Sequence, residues 1–140
     1  MKTPLPVDTL DAHAIRAGLV AQGETLEVEV CERCASTNSE LLSREWGGAP
    51  VLLLAEEQTA GRGRRGRRWH AGRGTALTLS LRWEFDGDAA RLRGLSLAAG
   101  VAVARSLHGL GARSIVLKWP NDLLASIGSF SKCPPLLKTR

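Results

Sequence analysis

Residues 58–69 read QTAGRGRRGRRW and separate two apolar stretches of the chain. Residues 51–55, just before this segment, form a continuous apolar run, which is typical of a buried strand. Residues 76–85, after it, place apolar side chains on one face, as a strand does. The intervening loop, residues 58–75, is too rich in glycine and arginine for any regular element. We therefore expect the two strands to be joined without the crossover helix that a purely parallel sheet requires.

The remaining elements are predicted from the periodicity of apolar residues: strands over residues 26–30 and 115–117, and helices over 8–20, 36–46 and 89–108. Asp8 is the expected N-cap of the first helix, and Ser36 begins a Ser-Thr-Asn triplet with the chemistry of an N-cap for the second. Strands interspersed with helices predict an α+β fold with a mixed β-sheet and flanking helices.

Positive charge is concentrated in the same loop. The chain of 140 residues has a net charge of +5, whereas residues 61–73 alone hold six arginines and no acidic residue. With 44% hydrophobic and 24% charged residues, the chain is expected to be globular. No apolar run reaches the roughly 18–20 residues of a membrane span. These features predict a cytoplasmic protein that does not enter a membrane.

The composition of the loop indicates anion binding. Glycines at positions 61, 63 and 66 allow the backbone to approach a ligand closely, and guanidinium groups bind phosphate or carboxylate in a planar, bidentate manner. A dinucleotide-binding fingerprint is excluded because these glycines do not open a helix, and no Walker motif is present. From the loop alone, three interpretations remain open: a polyanion- or RNA-binding patch, a phosphate-binding lid of an enzyme, and a solvated loop.

Two further polar motifs stand at the ends of predicted strands. Ser36, Thr37 and Asn38 follow the first strand, and together they offer the donors and acceptors that an amide or urea group needs. Residues 118–122 read KWPND and end the last strand, where binding sites of α/β sheets tend to lie. Taken singly, the triplet also fits an ordinary N-cap, and KWPND fits an ordinary turn with an exposed lysine.

In this order and spacing, the three motifs resemble the catalytic domain of biotin protein ligases, over residues 29–124 of the chain. The resemblance implies a class II synthetase-like fold of the biotin/lipoate ligase kind. It also implies a reaction in two steps. The carboxylate of biotin attacks the α-phosphate of ATP to give biotinyl-5′-AMP and pyrophosphate, and a lysine of an acceptor protein then attacks the mixed anhydride. Because the first step joins two anions, charge neutralisation and positioning are its main tasks.

The resemblance also implies which molecules the protein meets. ATP and biotin are the implied substrates, with Mg²⁺ accompanying the nucleotide. The implied partner is a biotin carboxyl carrier protein, whose lysine accepts the biotin. Neither DNA nor a membrane is expected as a partner, because the 25 residues before the first predicted strand are too few for a helix-turn-helix repressor domain.

The family's functional residues carry over to the matching positions of this chain. The triplet and Gln58 are implied at the ureido ring of biotin, and the loop is implied to order over the carboxylate and the phosphates. Lys118 is implied at the carboxylate and α-phosphate oxygens, where it stabilises developing negative charge. Cys31 and Cys34 lack a second pair at zinc spacing, so no metal site is predicted. The implied catalytic residues are Lys118, Arg62 and Arg64, and the implied binding residues are Ser36, Thr37, Asn38, Gln58, Gly61, Arg62, Gly63, Arg64, Asn121 and Asp122.

The resemblance fades after residue 124. The family carries the pattern K-x-x-G-I-L a few residues past the aspartate, whereas Ser129 stands at the lysine position here. We therefore expect an incomplete ligase catalytic domain over residues 1–124 and a non-matching tail over residues 125–140. An inactive fragment of the enzyme remains one alternative. A lipoate or octanoate ligase, whose relatives lack this loop, and a polyanion- or RNA-binding module are two others.

Overall fold

The computed structural model describes residues 9–112, 114–118 and 122–125, with the exception of the side chain of Arg64. The chain forms two compact units, of which the first ends at Phe85 and the second begins at Asp86. Within the described ranges, no helix is both long and apolar enough to cross a membrane.

The first unit is built on a three-stranded sheet. Its elements are α1 (Ala12–Val20), β1 (Glu27–Cys34), α2 (Thr37–Ser43), β2 (Val51–Gln58), a 3₁₀ turn (Arg64–Gly66) and β3 (Thr78–Arg82). The strand order is β1-β2-β3, with β1 parallel to β2 and β2 antiparallel to β3. Helix α2 is the crossover that the parallel pair needs, whereas β2 and β3 are joined without a helix. The predicted α+β fold with a mixed sheet and flanking helices is therefore confirmed.

Strand β2 is the central strand of this sheet because it is apolar on both faces. The consecutive residues Leu53 and Leu54 point to opposite faces and are 2% and 3% exposed. Leu41 of α2 is also buried. Helix α1 packs against β1, where the guanidinium of Arg16 donates to the carbonyl oxygen of Val28 at 3.3 Å. The core of the first unit thus lies around β2.

Helix α1 begins later than predicted. Asp11 is its N-cap, because the carboxylate of Asp11 accepts hydrogen bonds from the backbone N–H groups of His13 and Ala14 at 2.8 and 3.1 Å. The prediction of Asp8 as the N-cap is therefore wrong, and Asp8 itself lies outside the described residues. Two acidic residues three positions apart present the same capping chemistry, and the sequence pattern alone did not separate them.

Three other element boundaries also differ from the sequence prediction. Strand β1 continues to Cys34 because its charged residue Arg33 is neutralised by Glu57 on β2, with 2.9 Å between Nη2 and Oε2. Strand β3 is shorter than residues 76–85, because only its central five residues pair with β2. Helix α2 ends at Ser43, three residues before the predicted end.

The second unit combines a helix with a β-hairpin. It contains a 3₁₀ turn (Ala89–Leu92), α3 (Leu95–Gly109), β4 (Ile115–Lys118) and β5 (Asp122–Ala125), and the two strands pair antiparallel. The single helix predicted over residues 89–108 is wrong. The chain turns at Gly94, whose φ of 86° lies in the left-handed region, and α3 starts after it. Strand β5 has no counterpart in the sequence prediction.

Candidate functional site

A network of polar side chains joins the start of α2 to the end of β2. Thr37 donates from its backbone N–H and from Oγ1 to Oε1 of Gln58, at 2.7 and 3.1 Å. Oγ1 of Thr37 also lies 2.8 Å from Oγ of Ser80 on β3. Because the Thr37 hydroxyl donates its single proton to Oε1 of Gln58, the Ser80 hydroxyl is the donor in the second bond. Thr37 is only 2% exposed, so the network lies away from bulk water, where hydrogen bonds are electrostatically stronger.

The two bonds to Oε1 fix the orientation of the Gln58 side-chain amide. With Oε1 directed at Thr37, the two N–H donors on Nε2 are directed away from it. Within the described part of the chain, Nε2 makes no hydrogen bond. The site therefore offers a neutral pair of donors, which suits the carbonyl oxygen of an amide or urea group.

The other two residues of the triplet have different surroundings. Ser36 is the N-cap of α2, and its Oγ accepts a hydrogen bond from the backbone N–H of Ser39 at 3.4 Å. The N-cap interpretation of the triplet is thus confirmed for Ser36. Asn38 is exposed in the first turn of α2. Of the three, Thr37 is the residue that connects α2 to the loop after β2.

That loop, residues 59–77, is called here the arginine loop, and it folds as an internally hydrogen-bonded hairpin. The backbone N–H of Trp69 donates to the carbonyl oxygen of Gly61 at 2.8 Å, and that of Gly63 donates to Arg67 at 2.7 Å. At the tip, Arg65 adopts a left-handed φ of 60°. The prediction that residues 58–75 hold no regular element is therefore wrong. The glycines do not make the backbone irregular here, because they permit a tight chain reversal.

Four arginines of this hairpin, at positions 62, 65, 67 and 68, have no acidic partner among the described residues. Arg62 lies directly opposite Arg68 in an antiparallel bridge. Both side chains are exposed, as are those of Arg65 and Arg67, and none of the four forms an ion pair with a described residue. Like charges placed opposite each other on neighbouring strands are destabilising. An anion bound between Arg62 and Arg68 would remove this repulsion.

The base of the arginine loop, by contrast, is held by ion pairs. Nη1 of Arg73 lies 2.9 Å from Oε1 of Glu32, and Arg33 pairs with Glu57 alongside it. Since these side chains are largely exposed, each pair contributes at most about 1 kcal/mol. The carboxylates of Glu32 and Glu57 thus neutralise arginines at the base of the loop and not those at its tip.

Two half-buried cysteines lie at the end of β1, close to the triplet. Burial raises the pKa of the Cys34 thiol to about 11, helped by the neighbouring Cys31 and by the carboxylate of Glu40. Sγ of Cys31 lies 3.5 Å from the carbonyl oxygen of Leu54. A thiol that stays protonated is a poor nucleophile and a poor metal ligand. Among the described residues, no three His, Cys, Asp or Glu side chains come together as a metal site requires.

Lys118 and Asp122 belong to the second unit, where the last residue of β4 is paired in register with the first residue of β5. Both side chains are exposed. Asn121 lies outside the described residues. The structure thus brings Thr37, Gln58 and the start of the arginine loop together within the first unit, and it pairs Lys118 with Asp122 within the second.

Two polar residues of β3 were not predicted from the sequence. Ser80 is hydrogen-bonded to Thr37, and Thr78, two positions earlier on the strand, is 8% exposed. The sequence pattern could have indicated both residues. Polar residues occupy positions 78, 80 and 82, and apolar residues occupy the positions between them, so the three polar side chains share one face of the strand.

The sequence model of the Biotin/lipoate A/B protein ligase family matches residues 30–129, a span that includes the triplet, the arginine loop and Lys118. The chain belongs to this family. The resemblance to biotin protein ligases that the motifs indicated is confirmed by similar proteins of known function and by similar solved structures.

Among these relatives of the ligase family, the bifunctional ligase/repressor BirA of Salmonella typhimurium is 42% identical over 124 residues, which cover 86% of this chain and 37% of that protein. The biotin--[acetyl-CoA-carboxylase] ligase of Mycobacterium tuberculosis is 40% identical over 130 residues, covering 87% of this chain and 49% of that protein. The solved biotin protein ligase from Aquifex aeolicus, in complex with biotin and ATP, is similar with a TM-score of 0.58 at 31% identity, over 69% of this chain and 40% of that one. The chain therefore spans between about a third and a half of the length of these relatives.

Proposed function

We propose that this family member acts in the biotin protein ligase reaction. In that reaction biotin and ATP give biotinyl-5′-AMP and pyrophosphate, and the biotinyl group then passes to a lysine of a biotin carboxyl carrier protein. The relatives support the proposal, since one is named a biotin--[acetyl-CoA-carboxylase] ligase and another was solved with biotin and ATP.

One observation carries the proposal: the arginine loop connects a neutral hydrogen-bonding group to a pair of cations that have no acidic partner among the described residues. Directly before the loop, Thr37 holds Gln58, whose N–H donors bond to no described residue. Further along, Arg62 and Arg68 lie opposite each other. Biotin has the same polarity, with an uncharged ureido ring at one end and a carboxylate at the other. Adenylation adds a phosphate at the carboxylate end.

The chemistry of the first step assigns roles to the cations. Attack of the biotin carboxylate on the α-phosphate brings two anions together, and fixed positive charge at the reacting oxygens lowers that barrier. Arg62 and Arg64 are proposed to bind the carboxylate and the phosphates in a bidentate manner. Lys118 is proposed to stabilise the negative charge that develops on the α-phosphate. Ser36 and Asn38 are proposed to complete the ureido site, with Gly61 and Gly63 supplying close backbone approach.

Asn121 and Asp122 are proposed to bind at the nucleotide. Asp122 offers one carboxylate, and Mg²⁺ is commonly bound by one or two carboxylates together with substrate phosphates. Mg²⁺ is therefore proposed to enter with ATP, and when bound it would neutralise phosphate charge.

The second step needs a neutral lysine amine from the carrier protein and protection of the mixed anhydride from water. The arginine loop is proposed to supply that protection by covering the adenylate, since exclusion of water prevents hydrolysis of a reactive intermediate. The cytoplasm is the proposed location, because the reaction consumes ATP and modifies a carboxylase subunit.

Isothermal titration of the full 140-residue chain with biotin tests the proposal, together with biotin-dependent exchange of labelled pyrophosphate into ATP. The decisive variant is Gln58→Glu, because a carboxylate can still accept both bonds from Thr37 but lacks the two N–H donors. We expect this variant to bind biotin at least about tenfold more weakly, a loss of about 1.4 kcal/mol. Its free energy of unfolding should change by less than about 1 kcal/mol.

The matched control is Gln22→Glu, which adds the same charge at an exposed residue after α1 and should leave biotin binding unchanged. A folded wild-type chain that binds no biotin would overturn the proposal, as would equal biotin affinity of Gln58→Glu and the wild type. Binding of lipoate in place of biotin would favour the lipoate ligase alternative. Binding of RNA with a steep salt dependence, and no binding of biotin, would favour a polyanion-binding module.

A further inference from the structure

Strand β3 presents a row of polar side chains to the face of the sheet that α2 covers. Arg82 donates to the carbonyl oxygens of Leu41 and Arg44 at 2.9 and 2.6 Å. Ser80, next in the row, is hydrogen-bonded to Thr37 at 2.8 Å. Thr78 follows at the same alternation, so its side chain belongs to the same face. The row therefore runs from the end of α2 toward its start.

Thr78 is the member of this row whose hydroxyl has no partner. The residue is 8% exposed, and its Oγ1 is buried without a hydrogen bond to any described residue. Burying a hydroxyl in this way costs about 1–3 kcal/mol. Valine has nearly the same shape and would avoid that cost. An orphaned buried polar group in a folded protein therefore calls for an explanation, and one explanation is a bound molecule that supplies the partner.

The surroundings of Thr78 place it next to the biotin site proposed above. Its partner in the strand register is Ala55, which is fully buried. Ala55 lies three residues before Gln58 on β2, and Ser80 is linked to Gln58 through Thr37. Thr78 thus lies beside the Gln58 network, toward the end of β2 at which the arginine loop begins.

We infer that the Thr78 hydroxyl is a substrate contact that completes the ring pocket, by exchanging a hydrogen bond with a polar atom of the biotin ring system. The inference rests on the proposed function and extends it to a residue of β3. The ring system offers a ureido carbonyl oxygen, two ureido N–H groups and a thioether sulfur, and a hydroxyl is able to donate to or accept from these groups. Thr78 would therefore discriminate biotin from acyl groups that lack ring heteroatoms.

Two variants test this inference in the full chain. Thr78→Val keeps the shape of the side chain and removes the hydroxyl, whereas Thr78→Ser keeps the hydroxyl. We expect Thr78→Val to weaken biotin binding by about tenfold in isothermal titration, and Thr78→Ser to stay within about threefold of the wild type. Without ligand, urea denaturation should show Thr78→Val to be at least as stable as the wild type, because the orphaned hydroxyl is gone.

Titration with desthiobiotin, which lacks the ring sulfur, identifies the contacted atom. A loss of affinity in Thr78→Val for both ligands supports a ureido contact, and a loss for biotin alone supports a contact with the sulfur. Equal affinities of wild type and Thr78→Val for both ligands would overturn the inference and leave the proposed function standing. Lower stability of unliganded Thr78→Val would also overturn it, since the hydroxyl would then have a partner within the protein. A wild-type chain that binds no biotin would overturn both this inference and the proposed function.

Discussion

The carbonyl oxygen of Trp69 lies where a side chain on Gly61 would begin. A Cβ added to Gly61 would come within 2.6 Å of that oxygen and within 2.9 Å of Nε2 of Gln58. The first of these neighbours is backbone and belongs to the strand-like arm that closes the arginine loop, so it has little freedom to move. Gly61 therefore allows the two arms of the loop to approach each other closely beside Gln58.

Gly61→Ala is expected to open the base of the arginine loop. Overpacking of a closely packed site typically costs about 1–3 kcal/mol, and here it also displaces the Gln58 amide. We expect a loss of stability in urea denaturation of about that size and biotin binding weakened by at least about tenfold. Gly72→Ala is the matched control, because its added Cβ would meet only the Thr75 hydroxyl at 3.5 Å. Equal effects of the two substitutions would contradict the role given to Gly61.

The sequence predicts a site residue whose role is local, and it does not predict a role that depends on a partner far away in the chain. Ser36 was predicted as an N-cap because the capping preference is local, and the structure confirms it. The pairing of Thr37 with Gln58 joins positions 21 residues apart. The family resemblance implied both residues at one ligand, and only the fold shows that the first orients the second.

The element boundaries that were predicted wrongly also have physical causes in the structure. The apolar periodicity of residues 89–108 continues across Gly94, so the pattern did not reveal the left-handed turn that begins α3. Strand β5 is four residues long and exists through its pairing with β4, which no local pattern records. The predicted strand ended at residue 30, before the charged end of β1, whose Arg33 is neutralised by Glu57 on another strand. The first error thus concerns a local backbone conformation, and the other two concern pairing between strands.

The Thr37 hydroxyl is expected to couple two strands to α2. Thr37→Val removes one of the two donors to Oε1 of Gln58 and the acceptor of Ser80, and losing these two hydrogen bonds between half-buried partners and a buried hydroxyl should cost about 1–3 kcal/mol. Ser80→Ala alone should cost less, and adding it to Thr37→Val should cost almost nothing, because its partner is already absent. Urea denaturation of the four proteins measures this coupling. Additive losses would show that the two hydroxyls act independently.

Arg65 is expected to destabilise the tip of the arginine loop. Its φ of 60° is left-handed, which costs a residue with a large side chain about 1 kcal/mol or more. Asparagine tolerates this conformation, so Arg65→Asn should raise the free energy of unfolding by up to about 1 kcal/mol. Arg67→Asn, which removes the same charge two positions away, is the control and should give no such gain. A gain of equal size in both variants would point to charge repulsion in place of backbone conformation.

Cys34 is expected to make stability depend on pH in the alkaline range. Because the pKa of its thiol is raised from 9.0 to about 11 in the folded chain, the unfolded chain loses this proton first. Between about pH 9 and pH 11 the unfolded state thus binds fewer protons, and the free energy of unfolding falls as the pH rises. Below about pH 9 this group adds no pH dependence. Cys34→Ala should show a shallower decline in urea denaturation midpoints across that window, and parallel profiles of the two proteins would contradict the assignment.

Arg62 is expected to hold the adenylate more than it holds biotin. Arg62 lies opposite Arg68 in the hairpin, and its exposed side chain has no acidic partner among the described residues, so it gains most from a ligand that carries a phosphate. Losing a hydrogen bond to a charged group costs about 1.5–3 kcal/mol, so Arg62→Ala should release biotinyl-5′-AMP at least about tenfold faster. The dissociation constant for biotin alone should change much less, because its ring is bound through Gln58. Arg105→Ala removes the same charge from the exposed surface of α3 and should leave both quantities unchanged. Equal losses for biotin and its adenylate in Arg62→Ala would show that Arg62 does not distinguish the phosphate, and the loop would then act on the biotin carboxylate alone.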